Sequence, residues 1–579
     1  MKFGHHARWT PVALATVLAI GLPMTAGAQG RGGGVPEPYT PAPEAKDLRS
    51  VLFNWERNMG MLKGHDERDM VAMLEYKGKG TIQIDGQPCT LTKFRVSTNY
   101  QTYSQRTQIG CTRANGQAYS NIEVVSWQYA WNEDTPGAEI AGTKGKATPV
   151  PAAVQERLIR LWGSPQGAPK AAVAALTDNW LLGANPGTLL ADGVNKVKET
   201  SLVWEGGKPV ITFPIPGVAG ATGTATLDAK FMTEKVVVKQ GTNTTEFTYS
   251  DYQDWNNPLN KIEVFYAGKM VEKRNGAVIR DLTTTETETG NVYVVAPVPA
   301  SVQTAIKVGS PLPKGVFAKA EPPIDKTIPT PRLGTHPDLS GNWNYSDWIG
   351  NYMTGGGRRR APTQSPDTNR QDNQTYDFEL YSPSRFGNTG RPVYKPQHWD
   401  KVIELDMWTN KYDPVMTCQP LGVPRQGPPR RIIQSENDVL FLYAGGDAGG
   451  GYGEYRVIPT DNRKHDPQRA IETTYLGYTV GRWEGDTLVL DAIAFVDTTW
   501  LGRGGFFHSS DMHVVEKFTR QGDVVLYDVT VEDPEVLVEP WVIPTRVLRK
   551  NNNKDAGLQR ERGNCEVYEL EDISSQIRH

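Results

Sequence analysis

Apolar and polar residues alternate with a period of two through long stretches of this 579-residue chain, for example in Thr81–Ile84 and Asp438–Tyr443. This period places successive side chains on opposite faces of a β-strand. Asp85-Gly86 and Asn275-Gly276, which separate such stretches, are typical of tight hairpin turns. The 15 Trp and 23 Tyr residues also favour strands. The sequence therefore predicts a mainly β, antiparallel protein.

Three segments of the first half instead place apolar residues three and four positions apart, which is helical spacing. They are residues 48–61, 151–163 and 171–182. Strand-like patterns surround them in residues 69–131 and 201–298. Together they predict a curved antiparallel half-barrel with a few helices laid against one face.

Prolines recur every few residues between positions 299 and 337, with little periodicity. Proline-rich chain is stiff and extended, so we expect a linker between a domain of residues 45–298 and a domain of residues 338–579. Residues 29–44 are rich in Gly and Pro and are expected to be disordered.

The second domain contains six or more short strand-like runs with glycine-containing turns between them, such as Gly485-Asp486 and Gln521–Asp523. Meandering short strands of this kind are typical of barrels and sandwiches. We therefore expect a lipocalin-like β-barrel or a small sandwich.

The first 28 residues have the character of a signal peptide. Lys2 and Arg8 give a basic start, residues 11–23 form an uncharged apolar run, and Ala26–Ala28 supplies small residues for cleavage. The run is too short for a membrane span. We expect cleavage after Ala28 and a periplasmic or secreted mature chain. The net charge of −3 gives no electrostatic reason to expect nucleic-acid binding.

The chain has four cysteines, which at an exported address favour disulfides. Cys89 and Cys111 are flanked by strand-like runs and are expected to bridge a hairpin. Cys418 and Cys565 would then tie the beginning of the second domain to its end. A four-cysteine metal site is the alternative, but no CxxC spacing supports it.

The segment Glu246–Leu259, followed by Lys261–Val264 and Asp281–Thr285, resembles the late strands of LolA-like periplasmic lipoprotein carriers. The resemblance implies a half-closed barrel that is plugged by helices and holds acyl chains.

Most of residues 338–570 resembles a family of secreted bacterial proteins of unassigned activity. The resemblance rests on Met416–Arg425, on Gly481–Leu490 and on two further motifs, Thr499–Leu501 and His508–Phe518. It implies no reaction.

The densest polar group in the second domain is His508, Asp511, His513 and Glu516. Strand geometry places Asp511 and His513 on one face, and Glu516 on the other among Met512, Val514 and Phe518. A carboxylate on an apolar face must be paired or have a raised pKa. Glu516 is therefore a candidate general acid or base with His508 or His513, or a structural ion pair with Arg546 or Arg520.

Other chemistry is less well supported around this cluster. His508, Asp511 and His513 could bind a divalent metal together with Asp497, but strand geometry aligns only two of them. Tautomer-fixing hydrogen bonds are the alternative. Ser509 and Ser510 lie beside His508 without a nucleophile-elbow motif. We therefore predict no metal and no cofactor.

Candidate ligand-binding residues are Trp483, Trp500, Arg456 and Arg463. The two Trp could line an aromatic slot, or belong to the core. The two Arg lie at a strand end and in the following loop, where they could recognise a carboxylate or an alcohol, or form surface ion pairs.

The resulting hypothesis is a binding or carrier protein for an apolar or aromatic small molecule. It rests on the barrel-like folds, the many aromatic residues and the lack of a catalytic motif. One alternative is a cofactor-independent lyase, isomerase or hydrolase that uses Glu516 with a histidine. Another is an envelope scaffold that binds a protein partner.

Overall fold

Antiparallel strands dominate the chain, as the alternating pattern predicts. The structure is a computed structural model that describes residues 40–63, 68–69, 71–178, 180, 182, 186–255, 264–289, 292–308, 327–344, 391–443, 454–502 and 504–552. All of these residues belong to one compact unit, residues 34–579. The predicted signal peptide lies outside the described residues.

The chain begins with helix α1 (Leu48–Asn58) and a two-stranded pair, β1 (Leu62–Lys63) and β2 (Arg68–Asp69). A sheet of fourteen strands follows in the described part of the chain. Its strands are β3 (Met73–Ile84), β4 (Gln87–Asn99), β5 (Ser104–Arg113), β6 (Ala118–Ser126), β7 (Tyr129–Glu133), β8 (Ala147–Pro149), β9 (Lys196–Val197), β10 (Thr200–Glu205), β11 (Lys208–Pro214), β12 (Ala221–Leu227), β13 (Thr233–Gln240), β14 (Asn243–Asp254), β15 (Phe265–Arg274) and β16 (Ala277–Glu288).

This first sheet curves around its helices, which are α2 (Val154–Gly163), α3 (Gly167–Ala174) and α4 (Pro186–Leu189) together with α1. The strand order is β8-β7-β6-β5-β4-β3-β16-β15-β14-β13-β12-β11-β10-β9. Helix α2 packs against β5, β6 and β7 and also against β13, although these strands are far apart in that order. The sheet must therefore wrap around the helix, which confirms the predicted half-barrel.

The predicted turns and the first disulfide are also confirmed. Asp85-Gly86 and Asn275-Gly276 join β3 to β4 and β15 to β16, and all four residues have positive φ, as a tight hairpin turn requires. Cys89 and Cys111 form a disulfide between β4 and β5, with their Cα atoms 5.6 Å apart. The other predicted bridge involves Cys565, which lies outside the described residues.

The first two helices match the sequence pattern, but the third does not. Helix α3 begins at Gly167 and ends at Ala174, whereas the spacing predicted a helix over residues 171–182. Its first turn is fixed by Ser164 Oγ, which accepts a hydrogen bond of 3.1 Å from the Gly167 backbone N–H. All eight residues of α3 are buried, so no polar face marks its limits in the sequence.

The beginning of the proline-rich stretch is helical. Val302 of helix α5 (Ala300–Ala305) and Ile306, which directly follows the helix, pack against the outer side of the first sheet. There they belong to a hydrophobic cluster that includes Trp131 and Val124. Residues 309–326 and 345–390 lie outside the described residues.

The second half contains a short pair, β17 (Arg332–Leu333) and β18 (His336–Pro337), a nine-stranded sheet among the described residues, and a second short pair, β25 and β26. The remaining elements are β19 (Gly341–Asn344), α6 (Trp399–Met407), α7 (Thr409–Tyr412), β20 (Arg431–Gln434), β21 (Asp438–Leu442), β22 (Tyr455–Pro459), β23 (Tyr478–Glu484), β24 (Thr487–Ile493), β25 (Trp500–Gly502), β26 (Phe506–Phe507), β27 (His513–Gln521), β28 (Val524–Glu532) and β29 (Trp541–Lys550).

The nine strands follow the order β22-β21-β20-β19-β29-β28-β27-β24-β23, so β22 and β23 are the two edges. These edges approach each other. The Asn462 backbone N–H donates to the Gly481 carbonyl over 3.3 Å, and Arg456 on β22 reaches Thr479 on β23. The sheet is therefore a nearly closed barrel, in agreement with the lipocalin-like prediction. Among the described residues, no helix is both long and apolar enough to cross a membrane.

Candidate functional site

Strand β27 presents alternate residues to the barrel interior, as the period of two predicts. Val514, Glu516, Phe518 and Arg520 are buried, while the residues between them are more exposed. Glu516 has no solvent exposure. A fully buried carboxylate is costly unless it is paired.

Glu516 is paired with Arg456 of β22. Arg456 Nη2 lies 2.6 Å from Glu516 Oε2, and the Tyr527 hydroxyl donates to Glu516 Oε1 over 2.8 Å. The same guanidinium donates to Tyr443 Oη at 3.0 Å and to Thr479 Oγ1 at 3.2 Å. The sequence alone instead suggests Arg546 or Arg520 as the ion-pair partner of Glu516.

This pairing favours the charged form of Arg456 and the neutral form of its neighbour Tyr527. Burial disfavours the charged form of Arg456, but the nearby Glu516 carboxylate together with the Tyr443 and Tyr527 hydroxyls outweighs this effect, and the pKa of Arg456 lies above its usual value. Burial, followed by the nearby Glu516 carboxylate, raises the pKa of the Tyr527 phenol well above its usual value. Tyr527 therefore remains a hydrogen-bond donor at neutral pH.

The predicted histidines lie elsewhere. His513 is on the opposite face of β27, where Nε2 is 3.0 Å from Asp491 Oδ1 and Nδ1 is 3.1 Å from Glu532 Oε2. The hydrogen bond to Asp491 raises the pKa of His513 above its usual value, against a smaller effect of burial, with help from Glu532.

His508 is buried in a separate polar group. Its Nε2 is 2.7 Å from Thr499 Oγ1 and its Nδ1 is 2.8 Å from the Ser509 carbonyl. Burial lowers the pKa of His508. Asp511 is exposed, and its backbone N–H donates to Ser509 Oγ. Within the described residues, no three His, Cys, Asp or Glu side chains are arranged to hold a metal ion.

An open groove lies at the seam where the barrel edges β22 and β23 diverge, and we call it the seam groove. It has a volume of about 450 Å³, within the range of about 300–1,000 Å³ that is typical of small-molecule sites. Its walls are aromatic and aliphatic, with charged residues between them. They include Tyr455, Val457, Tyr475, Leu476, Tyr478 and Arg456.

Arg456 forms part of the groove floor and is only 6% exposed. Its Nε–H has no acceptor within the described part of the chain. Elsewhere in the groove lining, the Arg469 guanidinium lies 4.7 Å from the centre of the Tyr478 ring. The groove thus combines aromatic surface with a fixed, buried cation.

The other predicted ligand residues do not reach this groove. Trp483 stacks on His336 with ring centroids 4.6 Å apart, and Trp500 is buried in the second core. Arg463 forms an exposed ion pair of 2.5 Å with Asp461. The three groove tyrosines were missed because their proximity depends on barrel closure, which no local pattern encodes.

A second cavity, the inner cavity, lies inside the half-barrel and has a volume of about 40 Å³. Its lining includes Tyr76, Tyr100, Tyr266, Arg160, Glu272 and Arg280. A signal for it was present in the sequence, because Glu272 shares strand parity with Met270, and Arg280 with Leu282. This is the same argument that identified Glu516.

No family model matches the chain, and no curated protein matches it. Among solved structures, a LolA superfamily protein from Nitrosomonas europaea aligns over 45% of this chain and 97% of its own length. The identity is 9% and the TM-score is 0.21. A likeness this weak supports no conclusion about what the chain binds.

Proposed function

We propose that this protein binds a small aromatic or apolar molecule in the seam groove, as an exported binding or carrier protein. The observation that carries the proposal is a ligand-sized groove with tyrosine walls above the buried Arg456. Tyr455 is 62% exposed, although aromatic rings favour burial against other apolar surface. A flat aromatic ligand would cover Tyr455 and Tyr478.

The network beneath the groove is rigid, which favours binding. Arg456 is held by Glu516, Tyr443 and Thr479, so its position is fixed before a ligand arrives. Prior ordering of a site reduces the entropic cost of binding.

Acid–base catalysis is less well supported. Both oxygens of Glu516 are engaged by Arg456 and Tyr527, and His508 and His513 bind other groups. The Cys89–Cys111 disulfide supports export, because such bridges persist in oxidising compartments.

The test is fluorescence titration with anilinonaphthalene sulfonate, an aromatic dye with an anionic oxygen group. We expect saturable binding that Tyr478→Ala weakens about tenfold, the effect of losing one aromatic contact of about 1.4 kcal/mol. Tyr412→Ala is the control, because it also removes a solvent-accessible tyrosine ring, and Tyr412 does not line the groove. Equal dye affinity in the two variants would refute the seam groove as the site.

A further inference from the structure

We propose that the molecule bound in the seam groove is a short extended peptide, which pairs through its main chain with the two barrel edges, β22 and β23. Such a peptide would be the small aromatic or apolar molecule of the proposed function, on which this inference rests. The groove is lined by main-chain groups that point away from the sheet's own ladders, as well as by aromatic side chains.

The two edges of the nine-stranded sheet run in the same direction. Every pair of neighbouring strands in this sheet is antiparallel. Strand direction therefore alternates along the sheet, and the first and ninth strands, β22 and β23, are parallel to each other. Their backbones meet beyond the C-terminal end of β22, where the Asn462 N–H reaches the Gly481 carbonyl. One more strand between their N-terminal parts would be antiparallel to both and would close the barrel there.

The edge strand β22 directs main-chain groups into the groove at two positions. The Tyr443 backbone N–H donates to the Glu454 carbonyl over 3.1 Å, so Glu454 and every second residue after it bond to β21. In an antiparallel ladder, the residues between them direct their N–H and C=O groups to the opposite side. These residues are Tyr455 and Val457, and both line the groove. β22 has no second neighbouring strand in the described part of the chain to pair with them.

The facing edge of β23 shows the same alternation. Its hairpin with β24 turns at Gly485-Asp486, so Glu484 is the last residue that bonds to β24 before the turn. Every second residue before Glu484 bonds to β24 as well, whereas Gly481 and Thr479 direct their backbone groups to the seam. The Gly481 carbonyl does accept from across the seam, as this alternation requires. Thr479 lies in the groove lining. Both walls therefore offer main-chain partners to a strand placed between them.

The side chains around these groups suit an aromatic residue in the middle of the peptide. Arg456 and Thr479 contact each other inside the barrel, so their sequence neighbours Val457 and Tyr478 face outward. A peptide residue paired with Val457 would point its side chain to the same outer face. Tyr455 and Val457 are each 62% exposed there, and Tyr478 is half-buried. An aromatic side chain at this position would cover all three.

The charges of the lining also fit a peptide. A peptide antiparallel to β23 would direct its C-terminal carboxylate toward the beginning of that strand, at Tyr478. The Arg469 guanidinium lies over the Tyr478 ring and forms no ion pair with a described residue, so it can bind a carboxylate. Glu472 belongs to the same lining. A lining with both signs of charge complements a ligand that carries both signs, as a peptide with free termini does.

Isothermal titration calorimetry of the full mature chain with two tripeptides tests the proposal. One is Ala-Phe-Ala, and the other is the same peptide methylated at the phenylalanine nitrogen, which keeps the side chains and charges but removes one main-chain donor. We expect Ala-Phe-Ala to bind at least about tenfold more tightly, because methylation leaves the Val457 carbonyl without its hydrogen bond. Equal affinities, or no binding of Ala-Phe-Ala, would overturn the proposal.

A pair of variants tests the same hydrogen bonds from the side of the protein. Val457→Pro removes a backbone N–H that points into the groove, and it leaves the ladder with β21 intact, as prolines on edge strands do. Val457→Thr is the matched control, because it keeps the N–H and the branched shape. Ala-Phe-Ala affinity should fall about tenfold in Val457→Pro and stay unchanged in Val457→Thr. Equal affinity in the two variants would overturn the proposal. If Val457→Pro does not fold, the two tripeptides still decide on the wild type.

Failure of peptide pairing and failure of the seam groove as a site give different results. Suppose that anilinonaphthalene sulfonate binds and Tyr478→Ala weakens it, whereas Ala-Phe-Ala neither binds nor displaces the dye. The groove would then be a site for another class of molecule, and main-chain pairing would be wrong. If Tyr478→Ala changes neither dye nor peptide affinity, the seam groove itself is not the site and both proposals fail.

Discussion

At the scale of single residues, the interior of the second barrel depends on one ion pair. Arg456 and Glu516 are 60 positions apart in sequence, and both side chains are at most 5% exposed. Strand parity in the sequence was sufficient to place Glu516 inside the barrel. It could not identify the partner, because the choice between Arg456, Arg520 and Arg546 is made by the closure of the sheet.

Replacing Glu516 by Gln leaves the buried Arg456 cation without its counter-charge. We expect the free energy of unfolding to fall by about 3–5 kcal/mol, measured by urea denaturation. Glu484→Gln is the control, because Glu484 also pairs with an arginine but is 50% exposed. The free energy of unfolding of this variant should fall by at most about 1 kcal/mol. If both variants lost the same unfolding free energy, the buried ion pair would stabilise the fold no more than the exposed one does.

His513 makes stability depend on pH. Its folded pKa is raised by Asp491 and Glu532, so the folded state binds the proton more tightly than the unfolded state. The additional unfolding free energy is fully present below pH about 6.5, which is the pKa of a histidine in the unfolded chain. It is lost as the pH rises through the raised pKa of His513 in the folded chain. The difference in unfolding free energy between wild type and His513→Asn should therefore be larger at acidic than at alkaline pH. A difference that does not change with pH would contradict this assignment.

At the scale of elements, strands were predicted where the alternation is regular and missed where it is interrupted. β28 was predicted with its observed limits, Val524–Glu532. β29 was missed because it contains a proline, which interrupts a strand pattern. At this point the pairing register between β28 and β29 shifts, between Tyr527 and Val529. β19 and β20 have only four residues each, too few to show a period.

The Cys89–Cys111 bridge stabilises the hairpin of β4 and β5. Its sequence separation is 22 residues, and closing a loop of that length contributes about 3 kcal/mol in the chain-entropy model. The double variant Cys89→Ser/Cys111→Ser should lose about that much unfolding free energy, measured by chemical denaturation under non-reducing conditions. Reduction of the wild type, which also breaks the predicted Cys418–Cys565 bridge, should lower the unfolding free energy by at least that amount. No change in either experiment would contradict a structural role for the bridge.

At the scale of the whole molecule, the two sheets are linked by more than the proline-rich stretch. The Tyr293 hydroxyl donates to the Pro392 carbonyl at 2.6 Å and accepts from the Tyr394 backbone N–H at 2.8 Å. Arg106 of the first sheet lies over the Trp399 ring of α6 at 4.7 Å. The two-domain division at residues 299–337 remains a proposal. Sequence could not reveal these contacts, because they join segments at least 99 residues apart.

The proposed export also concerns the whole chain. We expect protein from the envelope fraction to begin at Gln29, because Ala26–Ala28 supplies the small residues that a signal peptidase requires. Intact-mass spectrometry would check this. Retention of Met1 on the exported protein would contradict it.

The central claim, that the seam groove holds a small molecule, is tested most directly by native mass spectrometry of protein purified from its own envelope extract. Wild type and Tyr412→Ala should carry the same small-molecule adduct, and Tyr478→Ala should have lost it, because Tyr478 forms a wall of the groove. An adduct that Tyr478→Ala retains in full, or the absence of any adduct from the wild type, would contradict the account.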